Sequence, residues 1–338
     1  ADSHGNRFTG RGRAHVSAAL AEPFGAGDQF SVYGLTSGRH LQYLQGGYRL
    51  PLGLRGGLGF SASKLRYELC CQAPGQESKG DAQTLSLEAS YQALLGRGLS
   101  LVWFTSLDAR EFESRRTGLA PSNRDVDALS VGARGYWVGA AQNSWGVAAR
   151  GGKVDLSASP ADLAADAAGA RTDGAFSKLS ANYWRLQPIR GAWSAQLLAR
   201  AQANLGRNLE SSERFVLGGA DGVRGYPSGE GVGDSGWLAS AELRYAIAAL
   251  PGLAASGFVD VGGIKRYSKN EAALAGALPN RYELGGWGLG LRYDSASANV
   301  LLTVARPIGS NRGADAAGNN NEGQKDGARA WLSAAWRF

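Results

Sequence analysis

"ARAWLSAAWRF", residues 328–338, decides the fold. Read on alternate positions, Ala328, Ala330, Leu332, Ala334, Trp336 and Phe338 share one face, while Arg329, Trp331, Ser333, Ala335 and Arg337 share the other. A period of two belongs to a β-strand, whose successive side chains point to opposite faces of a sheet. One such segment suits a soluble sandwich as well as a barrel, but the pattern recurs. In 237–247, Trp237, Ala239, Ala241, Leu243, Tyr245 and Ile247 oppose Leu238, Ser240, Glu242, Arg244 and Ala246. In 287–294, Trp287, Leu289, Leu291 and Tyr293 oppose Gly288, Gly290, Arg292 and Asp294, and the stretches 84–92 and 193–204 alternate in the same way.

Two details favour a membrane. Aromatic residues close the ends of the apolar face, as Trp237 with Tyr245 and Trp287 with Tyr293 do, where a lipid interface would place them. The opposite face is small and charged, which suits a hydrated lumen better than a dry core between two sheets. The reading is therefore all-β, a transmembrane antiparallel β-barrel in a single domain over residues 1–338, with sixteen strands. They are expected near 8–20, 28–37, 39–50, 56–67, 82–95, 98–111, 127–138, 144–155, 177–187, 192–204, 211–217, 236–247, 256–267, 285–295, 299–306 and 328–338. With both chain ends on the periplasmic side, parity places 156–175 in the periplasm and the segment after 306 outside, as a mobile surface loop.

Composition agrees. Of 338 residues 50 are glycine, 9 tryptophan, 12 tyrosine and none methionine, and no run of 18 apolar residues could form a spanning helix. The start lacks a charged and apolar leader, so the chain reads as mature protein or an excised fragment. The net charge of +7 is spread over 36 basic and 29 acidic residues without basic runs, which argues against nucleic acid. Cys70 and Cys71 are adjacent, where a mutual disulfide is strained, and form no metal spacing. His4, His15 and His40 have no motif around them, so neither a catalytic set, a metal site nor a cofactor is expected. "GVGDSG" (231–236) matches a dinucleotide pattern, but a period-two segment follows it instead of a helix.

Residues 218–236, "GGADGVRGYPSGEGVGDSG", hold eight glycines around a lone Arg224. In "GFVDVGG" (257–263), alternation sends Val259 and Val261 toward lipid and turns Phe258, Asp260 and Gly262 inward. An inward carboxylate needs a partner, and an arginine can offer two parallel hydrogen bonds. Arg224 fits, as do the inward Arg244 and Arg292. Other inward arginines, Arg134 and Arg150 among them, with the acids Glu88, Asp108 and Glu242, suggest ion pairs bracing the wall.

These motifs together resemble the outer-membrane translocators of two-partner secretion, the ShlB/FhaC/HecB haemolysin secretion/activation family. Val223, Arg224, Gly225 and Tyr226 resemble the tip of that family's long sixth extracellular loop, and Phe258, Asp260 and Gly262 its F-x-D-x-G strand. "DSHGNRFTG" with "EPFGAGDQFSV" is similar to its first hairpin, although Glu22 and Pro23 stand where the family has Asn-Pro, and Trp336 and Phe338 form its C-terminal barrel signature. The resemblance implies that the loop folds into the lumen with Arg224 against Asp260. It implies a bacterial outer-membrane protein that exports an unfolded exoprotein to the cell surface without enzymatic chemistry. It also implies a monomer that contacts lipid and lipopolysaccharide and enters the membrane through the barrel-assembly machinery. Periplasmic polypeptide-transport-associated domains, which precede the barrel in the family, are absent from this chain. A barrel-assembly factor of the same superfamily and a passive diffusion porin are the alternatives.

Overall fold

The computed structural model describes residues 1–25, 27–38, 40–70, 78–269, 276 and 278–338. Its elements are β1 (Ala14–Ala21), β2 (Gln29–Thr36), β3 (Leu41–Leu52), β4 (Gly56–Leu69), β5 (Ser78–Gly96), β6 (Leu99–Arg116), β7 (Ser122–Val138), β8 (Gln142–Asp155), α1 (Pro160–Ala168), β9 (Gly174–Arg190), β10 (Trp193–Asn204), β11 (Phe215–Val216), β12 (Val232–Gly233), β13 (Ser235–Ala246), β14 (Leu253–Lys265), β15 (Arg281–Asp294), β16 (Ala298–Ile308) and β17 (Arg329–Trp336). Among the described residues, fifteen strands pair in chain order into one antiparallel sheet, and β11 with β12 makes a separate two-stranded ribbon. No described helix is long and apolar enough to span a bilayer. A closed ladder of strands leaves no backbone edge to face lipid.

Residues 1–3 supply the closure. Asp2 bridges antiparallel to Ser333 of β17 and to Arg13 just ahead of β1. The Ala334 and Ser3 amides donate to the Ala1 and Leu332 carbonyls, both at 2.8 Å. The sixteenth place in the ring thus belongs to this segment. Residues 211–217, expected as a barrel strand, are not one. They hold a 3-10 turn and β11, because a short alternating run shows an extended conformation but not which ladder it joins.

The two differences reverse one assignment of sides. Short turns at 53–55, 97–98, 139–141, 191–192 and 295–297 cluster at the end where β17 finishes, and the longest connections, 156–173, 205–234 and 309–328, lie at the other. In an outer-membrane barrel the short turns are periplasmic and the long loops extracellular. Residues 156–173 connect β8 to β9 at the long-loop end, so the segment expected in the periplasm lies outside. The misplaced strand at 211–217 and the unrecognised one at 1–3 cancel in the count, which is why the segment after 306 lies outside, as parity places it.

Side-chain alternation matches the membrane reading. Trp237, Leu243 and Tyr245 of β13 and Val259 and Val261 of β14 are exposed on the outside, whereas Leu238, Glu242, Phe258 and Asp260 are buried within. Trp193 and Tyr245 pair across β10 and β13 with ring centroids 4.9 Å apart at the periplasmic girdle. Strands β5 to β9 run past the expected limits, β6 to Arg116 and β7 from Ser122. There the outer face carries Glu111, Glu113, Asp125 and Asp127, so the apolar pattern stops at the lipid boundary while the ladder continues into water.

The loop after β16, expected to be mobile, is tied down. Glu322 is buried and forms ion pairs with Arg11 at 2.9 Å and Arg329 at 3.2 Å, while accepting from the Arg7 amide at 2.9 Å. Of the adjacent cysteines, Cys71 lies outside the described residues.

Candidate functional site

The connection 205–234 leaves β10 at the extracellular end and turns back into the bore. Its stem is held by Glu213, at the end of the 3-10 turn Ser211–Glu213. The buried carboxylate meets Arg110 at 2.8 Å, Arg150 at 3.0 Å and Lys178 at 2.9 Å, side chains of β6, β8 and β9. Burial alone would raise its pKa, but the charges of Lys178, Arg150 and Arg110 outweigh that and hold it below the ordinary carboxylate range. Arg150 in turn pairs with Asp108 and donates to Ser130 Oγ at 2.9 Å.

Beyond the stem, the loop carries apolar groups to the wall. Phe215, Leu217, Val223 and Tyr226 form one buried cluster with Leu238, Ile264, Tyr282 and Leu284 from β13, β14 and β15. The upper lumen is therefore a packed core on this side, not an open aqueous channel.

The four tip residues and the three wall residues singled out in the sequence come together here. Arg224 Nε donates to Asp260 Oδ2 at 2.9 Å and Nη2 to Oδ1 at 2.8 Å, the two-pronged geometry in which a guanidinium matches a carboxylate. The Arg224 amide adds a third bond to Oδ2 at 3.1 Å. Nη1 reaches Glu242 Oε2 at 3.0 Å, Nη2 reaches Ser240 Oγ at 3.2 Å, and the guanidinium carbon lies 3.2 Å from the centroid of the Phe258 ring. Of the partners left open by the sequence, Arg244 pairs with Glu242 at 2.7 Å, and Asp260 is taken by Arg224. Farther round the wall Arg134 pairs with Glu88 at 2.7 Å.

Glycines permit the close approach. A Cβ on Gly225 would sit 2.8 Å from the Arg306 carbonyl carbon and the Pro307 nitrogen, inside the backbone of β16. One on Gly262 would strike Leu217 and the Trp237 carbonyl. Val223 and Tyr226 are fully buried. Burial pushes the Tyr226 phenol up to about 12, with the charges of Asp326 and Glu230 adding to the effect. Trp336 and Phe338, the C-terminal pair, are exposed on the outer surface near the periplasmic rim and take no part in this site.

Sequence reasoning missed two groups. Trp331 is buried on the inner face of β17, and its Nε1 donates to the Arg224 carbonyl at 2.8 Å. Glu213 was hidden in the supposed strand. For Trp331 the signal was present, as the large aromatic on the otherwise small or charged inward face of 328–338. Among the described residues no cluster of His, Cys, Asp and Glu is arranged to hold a metal ion. The site can hold a loop by charge and packing.

Known proteins share these features. The sequence profile of the haemolysin secretion/activation protein family ShlB/FhaC/HecB matches residues 1–293. The heme/hemopexin transporter protein HuxB of Haemophilus influenzae strain 86-028NP is 25% identical over 98% of this chain and 58% of its own length. The outer membrane transporter CdiB of Dickeya dadantii is 26% identical over 91% of this chain and 55% of its own. The chain thus spans a little over half the length of the curated relatives it matches. In fold it is similar to CdiB from Escherichia coli, with a TM-score of 0.78 at 19% identity over 99% of this chain and 61% of that one. It is also similar to BamA from Haemophilus ducreyi, with a TM-score of 0.69 at 12% identity over 99% of this chain and 69% of that one. The outer membrane is the location these relatives share with it, and the chain belongs to the haemolysin secretion/activation family ShlB/FhaC/HecB.

Proposed function

We propose that the barrel exports an unfolded partner exoprotein from the periplasm to the cell surface, with the connection 205–234 as its plug. The observation that carries this reading is the docking of the loop tip, in which Arg224, Asp260, Glu242 and Phe258 hold an otherwise glycine-rich segment across the bore. Such a contact sets one seated position of the loop and leaves it free of any chemical role. The reading carries with it a monomer surrounded by lipid and lipopolysaccharide, inserted by the barrel-assembly machinery through the strand that ends in Trp336 and Phe338. It assigns no cofactor and no enzymatic step.

Secretion tests it. In cells producing the protein with a large exoprotein encoded beside its gene, the exoprotein should reach the surface, and Asp260→Ala should trap it in the periplasm while the barrel remains folded in the outer membrane. Export of the exoprotein at the same level without the barrel overturns the reading.

A further inference from the structure

A second feature lies at the extracellular rim of β13 to β16, where a cavity meets the outer face and also touches the inward-facing Gln202, Ile264 and Tyr282. The cavity has a volume of about 880 Å3 and is lined in part by Trp237, Lys265, Arg281, Glu283, Ile308 and Arg312. Lys265 and Arg281 stand directly opposite each other in the β14–β15 ladder. Along β15, Arg281 and Glu283 are exposed while Tyr282 and Leu284 are buried, which puts the charged pair of positions on the lipid side. Lys265 follows Val259 and Val261 on the same outward face of β14.

Like charges directly opposed on a sheet destabilise it unless an anion lies between them. Among the described residues, no carboxylate forms an ion pair with Lys265, Arg281 or Arg312, and the Lys265 ammonium donates to the Ser268 carbonyl at 3.1 Å. The lining acid, Glu283, sits one outward position nearer the membrane than Arg281 and leaves the cavity with a positive excess. Below the cations the floor is apolar. Trp237 belongs to the extracellular aromatic girdle and pairs with Gly263, itself opposite Glu283, while Ile308 closes the side toward β16.

We propose that this rim cavity binds the phosphorylated sugar headgroup of an outer-leaflet glycolipid of the lipopolysaccharide type. Lys265, Arg281 and Arg312 hold its phosphate, and its acyl chains descend past Trp237 and Ile308. The volume falls in the range of sites for whole ligands, far above that of a lone phosphate ion. The cations sit just above an aromatic belt, at the level where headgroup phosphates meet the protein. The site does not rest on the export reading.

Native mass spectrometry of the detergent-solubilised protein tests it with four probes: diphosphorylated lipid A, its dephosphorylated form, phosphatidylglycerol and inorganic phosphate. Diphosphorylated lipid A should be retained, and at least about tenfold less in the Lys265→Gln/Arg281→Gln/Arg312→Gln variant, since each charged hydrogen bond lost weakens binding by roughly that factor. Arg312→Gln alone, outside the ladder, should show a partial loss, with unchanged heat-shifted mobility showing that the barrel is intact. Equal retention by the triple variant, or binding of dephosphorylated lipid A, phosphatidylglycerol or inorganic phosphate as tight as that of diphosphorylated lipid A, overturns the assignment.

Discussion

Trp331 of β17 donates its indole N–H to the Arg224 carbonyl at 2.8 Å, while the Arg224 side chain grips Asp260 of β14. One residue of a loop is therefore held by its backbone from one strand and by its charge from another. The tip is fixed in position as well as in contact, and that geometry makes its loss measurable.

Removing either charge strands the other. Arg224→Ala leaves Asp260, fully buried, without its counter-ion, and Asp260→Ala leaves the guanidinium with Glu242 alone. Each single change should weaken docking by about 3–5 kcal/mol, the usual cost of breaking a buried pair. The double variant Arg224→Ala/Asp260→Ala should cost clearly less than the sum of the two singles. Thermal unfolding followed by heat-shifted mobility reads this, and strict additivity would show that the two groups do not act on each other.

The stem is a second anchor. Glu213→Ala leaves Arg110, Arg150 and Lys178 facing one another without their common acid. The expected outcome is a loss of about 3–5 kcal/mol, seen as rapid proteolysis within 205–214, with the tip contacts changed less than the stem. Protease resistance equal to the unaltered protein would contradict it.

Tyr226 gives docking an alkaline limit. Its phenol titrates at about 12 when buried, against about 10 for an exposed tyrosine, so the docked loop resists losing that proton. Its contribution is fully present below the ordinary value and fades as pH climbs from there toward about 12. A spin label at residue 221, in a background without the native cysteines, should gain mobility over that window. Tyr226→Phe should shrink the transition, with Tyr282 of the same buried cluster left to ionise, yet dock as well at neutral pH, within about 1 kcal/mol, because the buried hydroxyl has no hydrogen-bond partner among the described residues.

Gly225→Ala is the steric test. The added methyl would enter the β16 backbone at Arg306 and Pro307, where strand hydrogen bonds prevent relaxation, so the tip should lift at a cost of about 1–3 kcal/mol. The same substitution at Gly46 of β3, where a Cβ meets nothing within 4 Å among the described residues, should leave docking unchanged.

Much of this was legible from the period of two, because one face of each strand meets lipid and must be apolar along its whole span. Asp260 could be assigned inward for that reason alone; charge left Arg224, Arg244 and Arg292 as its possible partners, and the choice of Arg224 came from the family resemblance. Strand limits were not legible at β6 and β7, where beyond the membrane the outer face turns polar and the inner face carries Phe112 and Val126, the reverse of the pattern below. Residues 1–3 were too few to show a period at all, and Phe215 and Val216 alternated without joining the wall. The dry part of the lumen was readable in principle. Leu238, Tyr282 and Leu284 are apolar positions on the inward face near the extracellular ends of β13 and β15, and they mark where the loop lands.

The loop is fastened at Glu213 to β6, β8 and β9 and at its tip to β14 and β17. It therefore crosses the cylinder like a strut between opposite sides. A hollow tube with a transverse brace resists being squeezed into an ellipse. If the loop is the plug proposed above, withdrawing that brace would open the way and soften the wall in the same event.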